Sequence, residues 1–226
     1  MIAENIQRVG ERISASCLRI KRNPDQIILV CVAKGRSIAE IKEALSFGLK
    51  DIGENRIQEA LLKYNQVRQE AGDRLKWHMI GHLQRNKVKD AVKLFDLIHS
   101  VDSLLLAQEI DKEAGKIGKL QDILLEVKSS PEATKSGFVP EELGKAVELI
   151  SGLTNLKVKG LMTIAPLGAP SGQFAESARP YFRRLRQLRD DLDKKWLLSM
   201  GMSDDFEVAI EEGADLIRLG RAIFEG

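Results

Sequence analysis

Ile27-Ile28-Leu29-Val30-Cys31-Val32-Ala33-Lys34 is an apolar run closed by a single charge, and the helical pattern Ser37–Phe47 follows it almost at once. A short, unbroken apolar run reads as a buried strand, and a strand followed by a helix is the unit from which parallel sheets are built. Lys34 then stands at the carboxyl end of that strand, on the rim where parallel α/β folds assemble their sites. There its contact with water can be restricted, which favours the neutral amine, and such a lysine can form a Schiff base with an aldehyde. The plainer alternative is a strand-end lysine that only solubilises the rim.

With the first run taken as Gln26–Ala33, further β-rich runs follow at Lys50–Gly53, Trp77–Gly81, Leu94–Ser100, Asp122–Val127, Val158–Ile164, Leu197–Met200 and Asp215–Leu219. Helical patterns fill the gaps, among them Arg56–Glu70 and Val139–Ser151, and an amphipathic helix over Ile2–Lys21 precedes the first strand. Ser37 and Ser203 are expected to cap helices, the latter with Asp204, Asp205 and Glu207 near the first turn, while Gly48 and Gly213 stand at expected helix ends. Eight strand–helix units in 226 residues predict a single-domain (β/α)8 TIM-like barrel over residues 1–226, with an N-terminal helix. The third and seventh strands are short and the least sharply marked. An open doubly wound sheet is the alternative, but no G-x-G-x-x-G follows the first strand.

The composition, 43% hydrophobic and 30% charged, is that of a soluble domain, and the longest apolar stretches fall short of a membrane span. Met1-Ile2-Ala3-Glu4-Asn5 carries no basic n-region, so no secretory signal is expected. Cys17 and Cys31 have no metal or redox spacing, which fits a cytoplasmic chain with reduced thiols. A net charge of +2 is too small to argue for a nucleic-acid or membrane partner. One segment is basic, with Arg179, Arg183, Arg184, Arg186, Arg189, Lys194 and Lys195. Asp190, Asp191 and Asp193 interrupt it and no aromatic platform accompanies it, so a solvated helix face is expected.

If the chain is a barrel, polar motifs should collect at the carboxyl ends of its strands. The second strand ends Gly53-Glu54-Asn55, and the third leads into Ile80-Gly81-His82-Leu83-Gln84-Arg85-Asn86-Lys87. The sixth gives Gly160-Leu161-Met162-Thr163, the seventh Ser199-Met200-Gly201-Met202-Ser203, and the eighth Ile217-Arg218-Leu219-Gly220-Arg221-Ala222. Gly201 and Gly220 would let backbone approach an oxyanion, Ser203 would add a hydroxyl, and barrels often hold phosphate after strands seven and eight. Alternatively, the glycines only make tight turns and Ser203 only caps its helix. Asn55 is suited to donate its amide to a ligand oxygen and Glu54 to orient a neighbour. His82 is a base, a phosphate contact or an ordinary loop residue, whereas His78 and His99, inside strand patterns, read as structural. No His/Cys/Asp/Glu group has metal-ligand spacing. A lysine facing a phosphate cradle suits a metabolite that carries both an aldehyde and a phosphate. Pyridoxal 5′-phosphate (PLP) is one, and the sugar-phosphate substrate of an aldolase is the rival.

Several motifs in order extend this reading: Val32-Ala33-Lys34, Gly53-Glu54-Asn55, Trp77-His78-Met79-Ile80-Gly81-His82-Leu83-Gln84, Ile98-His99-Ser100-Val101-Asp102 and Lys135-Ser136-Gly137-Phe138. Gly160-Leu161-Met162-Thr163, Leu198–Asp205, Arg218-Leu219-Gly220 and Ala222-Ile223-Phe224 complete the set. Together they resemble the pyridoxal phosphate homeostasis protein family, which is similar in fold to the amino-terminal barrel of alanine racemase. The resemblance implies that Lys34 holds PLP as a covalent internal aldimine. It also implies that Ser203, Gly220 and the Arg221 backbone surround the phosphate, that Arg218 approaches the pyridine nitrogen, and that Asn55 and Met200 line the pocket. The chain departs from the family pattern at Gly35-Arg36, where relatives often carry a threonine turn, at Arg85, and at Arg221, which replaces a frequent threonine.

What the family implies is intracellular vitamin B6 homeostasis, with PLP buffered or delivered to apo PLP-dependent enzymes, and no catalytic residues assigned. An arginine beside the pyridine nitrogen disfavours its protonation and weakens the ring as an electron sink. The alternative is a weak PLP-dependent amino-acid racemase. Racemases of that class oppose the lysine with a tyrosine from a carboxyl-terminal domain outside this sequence, and Tyr64 and Tyr181 lie in helical patterns expected to be away from the strand ends. A PLP-independent aldolase is the third reading. The expected partners are PLP and recipient apo-enzymes, with no nucleic acid or membrane, and the expected state is a monomer or weak dimer.

Overall fold

The structure is a computed structural model that describes residues 1–71, 75–128, 136–166 and 174–225; Lys135 of the Lys135–Phe138 motif lies outside the described residues. Its eight strands are β1 (Ile28–Val32), β2 (Asp51–Glu54), β3 (Lys76–Met79), β4 (Leu97–Val101), β5 (Gln121–Glu126), β6 (Leu156–Met162), β7 (Leu197–Ser199) and β8 (Leu216–Leu219). All pair in parallel and in chain order, and β8 closes on β1 with Ile28 opposite Leu216 and Cys31 opposite Leu219. The expected TIM barrel is thus present, including the short third and seventh strands.

The surrounding helices are α1 (Ile2–Arg19), α2 (Ile38–Ser46), α3 (Ile57–Ala71), α4 (Val88–Leu94), α5 (Leu104–Lys116), α6 (Leu143–Ser151), α7 (Phe174–Leu192), α8 (Phe206–Glu211) and α9 (Arg221–Phe224). The N-terminal α1 packs against α8, α9 and α2, and Asn5 Nδ2 donates to the Ile223 carbonyl at 3.0 Å.

Period-two alternation along the strands sorts their side chains into two cores. Val30, Ile80, Leu97, Leu124, Met162 and Leu216 fill the barrel interior. The intervening residues, such as Ile52, Trp77, Ile98, Ile123, Leu198 and Ile217, join a larger cluster with the helices.

Local chemistry explains where the boundaries moved. Ser37 caps α2 through a reciprocal box, its N–H donating to Glu40 Oε2 at 2.8 Å while its Oγ accepts from Glu40 N. Gly48 and Gly213, at φ +89° and +98°, end α2 and α8 as expected. β4 starts later than its apolar run because Leu94 closes α4 and the Asp96 carboxylate is engaged by the Trp77 N–H at 2.8 Å. Pro140 opens a separate 3₁₀ turn, Pro140–Glu142, so the helix expected from Val139 begins at Leu143.

Two expectations are corrected. Ser203 does not cap α8, which begins at Phe206; the Asp205 carboxylate takes the Met202 N–H at 2.6 Å, and Ser203 Oγ instead accepts from Ala222 N at 3.2 Å. The basic stretch of α7 is not simply solvated. Arg179 reaches Glu211 at 2.7 Å and Glu212 at 3.2 Å, while Arg183 and Arg186 reach Glu212 at 2.9 and 3.3 Å, forming an ionic seam between α7 and the end of α8.

Candidate functional site

Lys34 follows β1 in a turn at the carboxyl rim, and the backbone on either side of it is held by α3. Lys63 Nζ donates to the Ala33 carbonyl at 2.7 Å and to Glu54 Oε1 at 2.8 Å. Gly35 N donates to Glu59 Oε2 at 3.0 Å. Glu54 therefore does orient a neighbour, and that neighbour is Lys63, a residue sequence reading did not single out. Burial pushes the Glu54 carboxyl above its ordinary range, and the Lys63 ammonium opposes the shift. The Lys34 side chain itself is exposed, so the expected shielding from water is not supplied at this position.

Lys34 borders a cavity of about 440 Å³ with Asn55, Arg56, Gly81, His82 and Gln84. Asn55 Oδ1 is buried without a partner, an acceptor available to a ligand. Gly81 allows the β3 loop to lie against it: a Cβ there would stand 2.4 Å from the Asn55 carbonyl oxygen and 2.7 Å from its Cα. A second cavity of about 300 Å³ adjoins the same rim, bordered by Asn55, His82, Glu126, Lys128 and Ser136. His82 Nδ1 stands 3.3 Å from Asp102 Oδ2 with its ring mostly exposed. The Glu126 carboxyl is raised, first by burial and then by Asp102.

The Ser203–Ala222 hydrogen bond joins the β7 and β8 loops. A Cβ on Gly220 would meet Val32 Cβ at 3.3 Å, which sets this junction beside the end of β1, two residues before Lys34. Arg221 is exposed and its guanidinium is paired with Asp204, while Arg36 pairs with Glu225 and stacks 5.0 Å from the Phe224 ring centroid. Met200 is fully buried in the helix-facing cluster.

Arg218 is almost entirely buried. It donates from Nη1 to Ser199 Oγ at 2.5 Å and from Nη2 to the Thr163 carbonyl at 2.9 Å. Burial lowers its pKa to about 10, against the pull of Asp205 and Glu126. Behind it lie the two histidines read as structural. His99 Nδ1 is 2.9 Å from Ser199 Oγ, its Nε2 is 2.9 Å from His78 Nδ1, and His78 Nε2 is 2.9 Å from Asp51 Oδ1. Burial, then His78, then Arg218, hold the His99 pKa well below its ordinary value. The available signal was parity: Asp51, His78, His99, Ser199 and Arg218 fall at the same alternation as their barrel-filling neighbours.

Of the tyrosines, Tyr64 packs against Trp77 with ring centroids 5.3 Å apart. Tyr181, expected away from the strand ends, borders a cavity of about 70 Å³ with Val127, Lys128 and Thr163, just past β5 and β6. Among the described residues no three His, Cys, Asp or Glu side chains are placed to hold a metal ion, and no helix is long and apolar enough to cross a membrane.

The model of the alanine racemase N-terminal domain family matches residues 2–226. A pyridoxal phosphate homeostasis protein from Aquifex aeolicus is 46% identical over 227 residues, covering 98% of this chain and 96% of that protein. The chain belongs to the pyridoxal phosphate homeostasis protein family. The Escherichia coli K12 homeostasis protein is 35% identical over 225 residues, covering 99% of this chain and 95% of that one. Among solved structures, PipY of Synechococcus elongatus with PLP bound superposes with a TM-score of 0.83 at 36% identity, covering 99% of this chain and 100% of that one. Alanine racemase of Clostridium difficile, at a TM-score of 0.72 and 17% identity, covers 98% of this chain and 56% of that one, and shares the fold. Of the residues expected to depart from the family pattern, Arg36 pairs with Glu225 and Arg221 with Asp204.

Proposed function

We propose that this protein binds PLP in the cytoplasm, holds it as a Schiff base on Lys34, and buffers it or delivers it to apo PLP-dependent enzymes. The observation that carries this reading is the placement of Lys34. Its flanking backbone is clamped by Lys63 and Glu59, on the strand that adjoins the Ser203–Ala222 junction. An aldehyde at Lys34 and a phosphate at that junction match the two ends of PLP. Met200, buried beneath the β7 loop, would support the pocket from behind, and the Asn55 acceptor would meet a polar substituent of the ring. The committed Arg221 side chain leaves its backbone and Gly220 as the phosphate contacts, with Ser203 Oγ exchanging its bond to Ala222. Bound PLP supplies electrophilic imine chemistry; the protein supplies the amine, the anion site and, in Arg218, a donor that disfavours a protonated pyridine.

An absorption spectrum with PLP, beside that of Lys34→Ala, tests the assignment. An imine band in the wild type that is absent from the variant supports attachment at Lys34. Free-PLP spectra from both would defeat it and bring the sugar-phosphate aldolase forward. Transfer to an apo-enzyme no faster than release into buffer would argue against delivery.

A weak amino-acid racemase is favoured by one observation, the His82–Asp102 pair bordering the Lys34 rim, which offers a proton-transfer group. Exchange of an amino-acid α-proton in deuterated water tests it. A rate no greater than that of free PLP ends that reading.

A further inference from the structure

Arg218, Ser199, His99, His78 and Asp51 are contributed by β8, β7, β4, β3 and β2, and cross the barrel as one continuous hydrogen-bonded chain. Its two ends fix its direction. A guanidinium has donors only, so Arg218 Nη1–H must give its proton to Ser199 Oγ. An ionised carboxylate has acceptors only, so Asp51 must receive a proton from His78 Nε2–H. Neutral His78 then has a bare Nδ1, which accepts from His99 Nε2–H. His99 Nδ1 is left bare in turn and accepts the Ser199 hydroxyl. Each donor finds one acceptor, and the bonds all point from Arg218 towards Asp51.

The reverse arrangement fails at the far end. It would set a bare His78 Nε2 against the Asp51 carboxylate at 2.9 Å, lone pair to lone pair. The aligned bonds polarise one another, so the Ser199 oxygen presented to Arg218 is a stronger acceptor than an isolated hydroxyl. Arg218 thereby gains part of the stabilisation of an anion that sits at the opposite end of the barrel. Charged groups around this chain are Asp205 and Glu126 near Arg218, with Asp51 itself, its cross-strand neighbour Lys76 and, on β5, Asp122 at the other end.

We propose that His78 and His99 are positioning residues, whose tautomers, set by Asp51, orient Ser199 and so hold the Arg218 guanidinium at the cofactor's pyridine edge. The relay stands on the chain of bonds alone, while its cofactor end rests on the PLP reading. The identity of the proton on each ring is its distinctive content. Protonation of His78 at Nδ1 would turn the His99 ring to its other tautomer and release the Ser199 hydroxyl from it.

The test begins with ligand-free protein. Proton–nitrogen correlation spectra of the histidine rings at mildly alkaline pH should show His78 and His99 as Nε2–H tautomers. Asp51→Asn replaces a pure acceptor with an amide that also donates, and an Nδ1–H form should then appear at His99. Asp122→Asn removes a carboxylate from the same end of the barrel and should leave His99 unchanged. If Asp51→Asn does not fold, Ser199→Ala breaks the chain from the other end without altering charge: His99 should stay Nε2–H, because Asp51 still sets it, while its bare Nδ1 resonance should move for loss of the Ser199 hydroxyl. An Nδ1–H form of His99 in the wild type, or no response to either relay variant, would overturn the relay.

With PLP added, the midpoint of the absorbance change with pH should move by about half a unit in Asp51→Asn relative to Asp122→Asn. Equal midpoints would overturn the link to the cofactor. Failure of the wild type to take up PLP would end the binding reading, and the tautomer result would still decide the relay.

Discussion

Lys63 donates to Glu54 across 2.8 Å in a setting where the carboxylate is fully buried and the ammonium nearly so. The same ammonium holds the Ala33 carbonyl, so the pair connects α3, β2 and the residue before Lys34. Replacing Lys63 with Met should leave Glu54 buried without its partner, at a cost of about 3 kcal/mol. The Glu54 carboxyl should then take up a proton. Urea unfolding reads the stability loss, and PLP titration should show weaker uptake; wild-type values for both would remove the clamp from the site.

Acid should weaken the fold through His99. Its folded pKa lies well below the ordinary 6.5, so the unfolded chain gains a proton there that the folded chain refuses. Stability is therefore fully present above that value and falls as pH drops below it, by up to about 1.4 kcal/mol per pH unit. Glu54, Glu126 and Asp205 act with opposite sign: burial raises their pKa, so their contribution is present below the ordinary carboxyl value and lost as pH rises through the folded one. Comparing wild type with His99→Gln isolates the histidine. The stability gap between them should narrow below pH 6.5, and a gap independent of pH would refute the assignment.

Gly81→Ala should disturb Asn55 directly, because the added Cβ meets backbone atoms rather than a movable side chain. A loss of about 2 kcal/mol with weaker PLP binding is expected. Gly144→Ala in α6 is the control: a Cβ there meets nothing within 4 Å, and the melting temperature should rise, reflecting about 0.5–1 kcal/mol of helix propensity.

The seam between α7 and α8 converges on Glu212, which is 3% exposed and takes bonds from Arg179 and Arg183 with Arg186 close by. Glu212→Ala should leave these partly exposed arginines facing one another, at a cost of about 2 kcal/mol after allowance for screening. Salt should destabilise the wild type more than the variant, as urea midpoints at two ionic strengths would show.

The barrel was legible because each unit is a local pattern: Ile27–Ala33 names a buried strand and Ser37 with Glu40 names a helix start without distant partners. Strand-end position alone drew attention to Lys34, Asn55 and Gly220. Lys63 was hidden because a lysine within a helical pattern that also carries Glu59, Arg68 and Glu70 reads as an ordinary surface charge, and only the fold brings it to Ala33. His78 and His99 were legible as structural residues inside strand patterns, but their partners, Asp51 and Ser199, lie 27 and 100 residues away in the chain. Ser203 was misread because a serine before a helix looks like its cap, while its actual partner, Ala222, belongs to the next strand–helix unit.

Because the Ala33 carbonyl and the Gly35 amide are both held by α3, motion at Lys34 is confined to its aliphatic arm. Under the proposed Schiff-base role, an aldehyde would be captured and surrendered by imine exchange at the tip of one side chain with a stationary root. The barrel's register would stay untouched, and a recipient would compete only for the end of that arm.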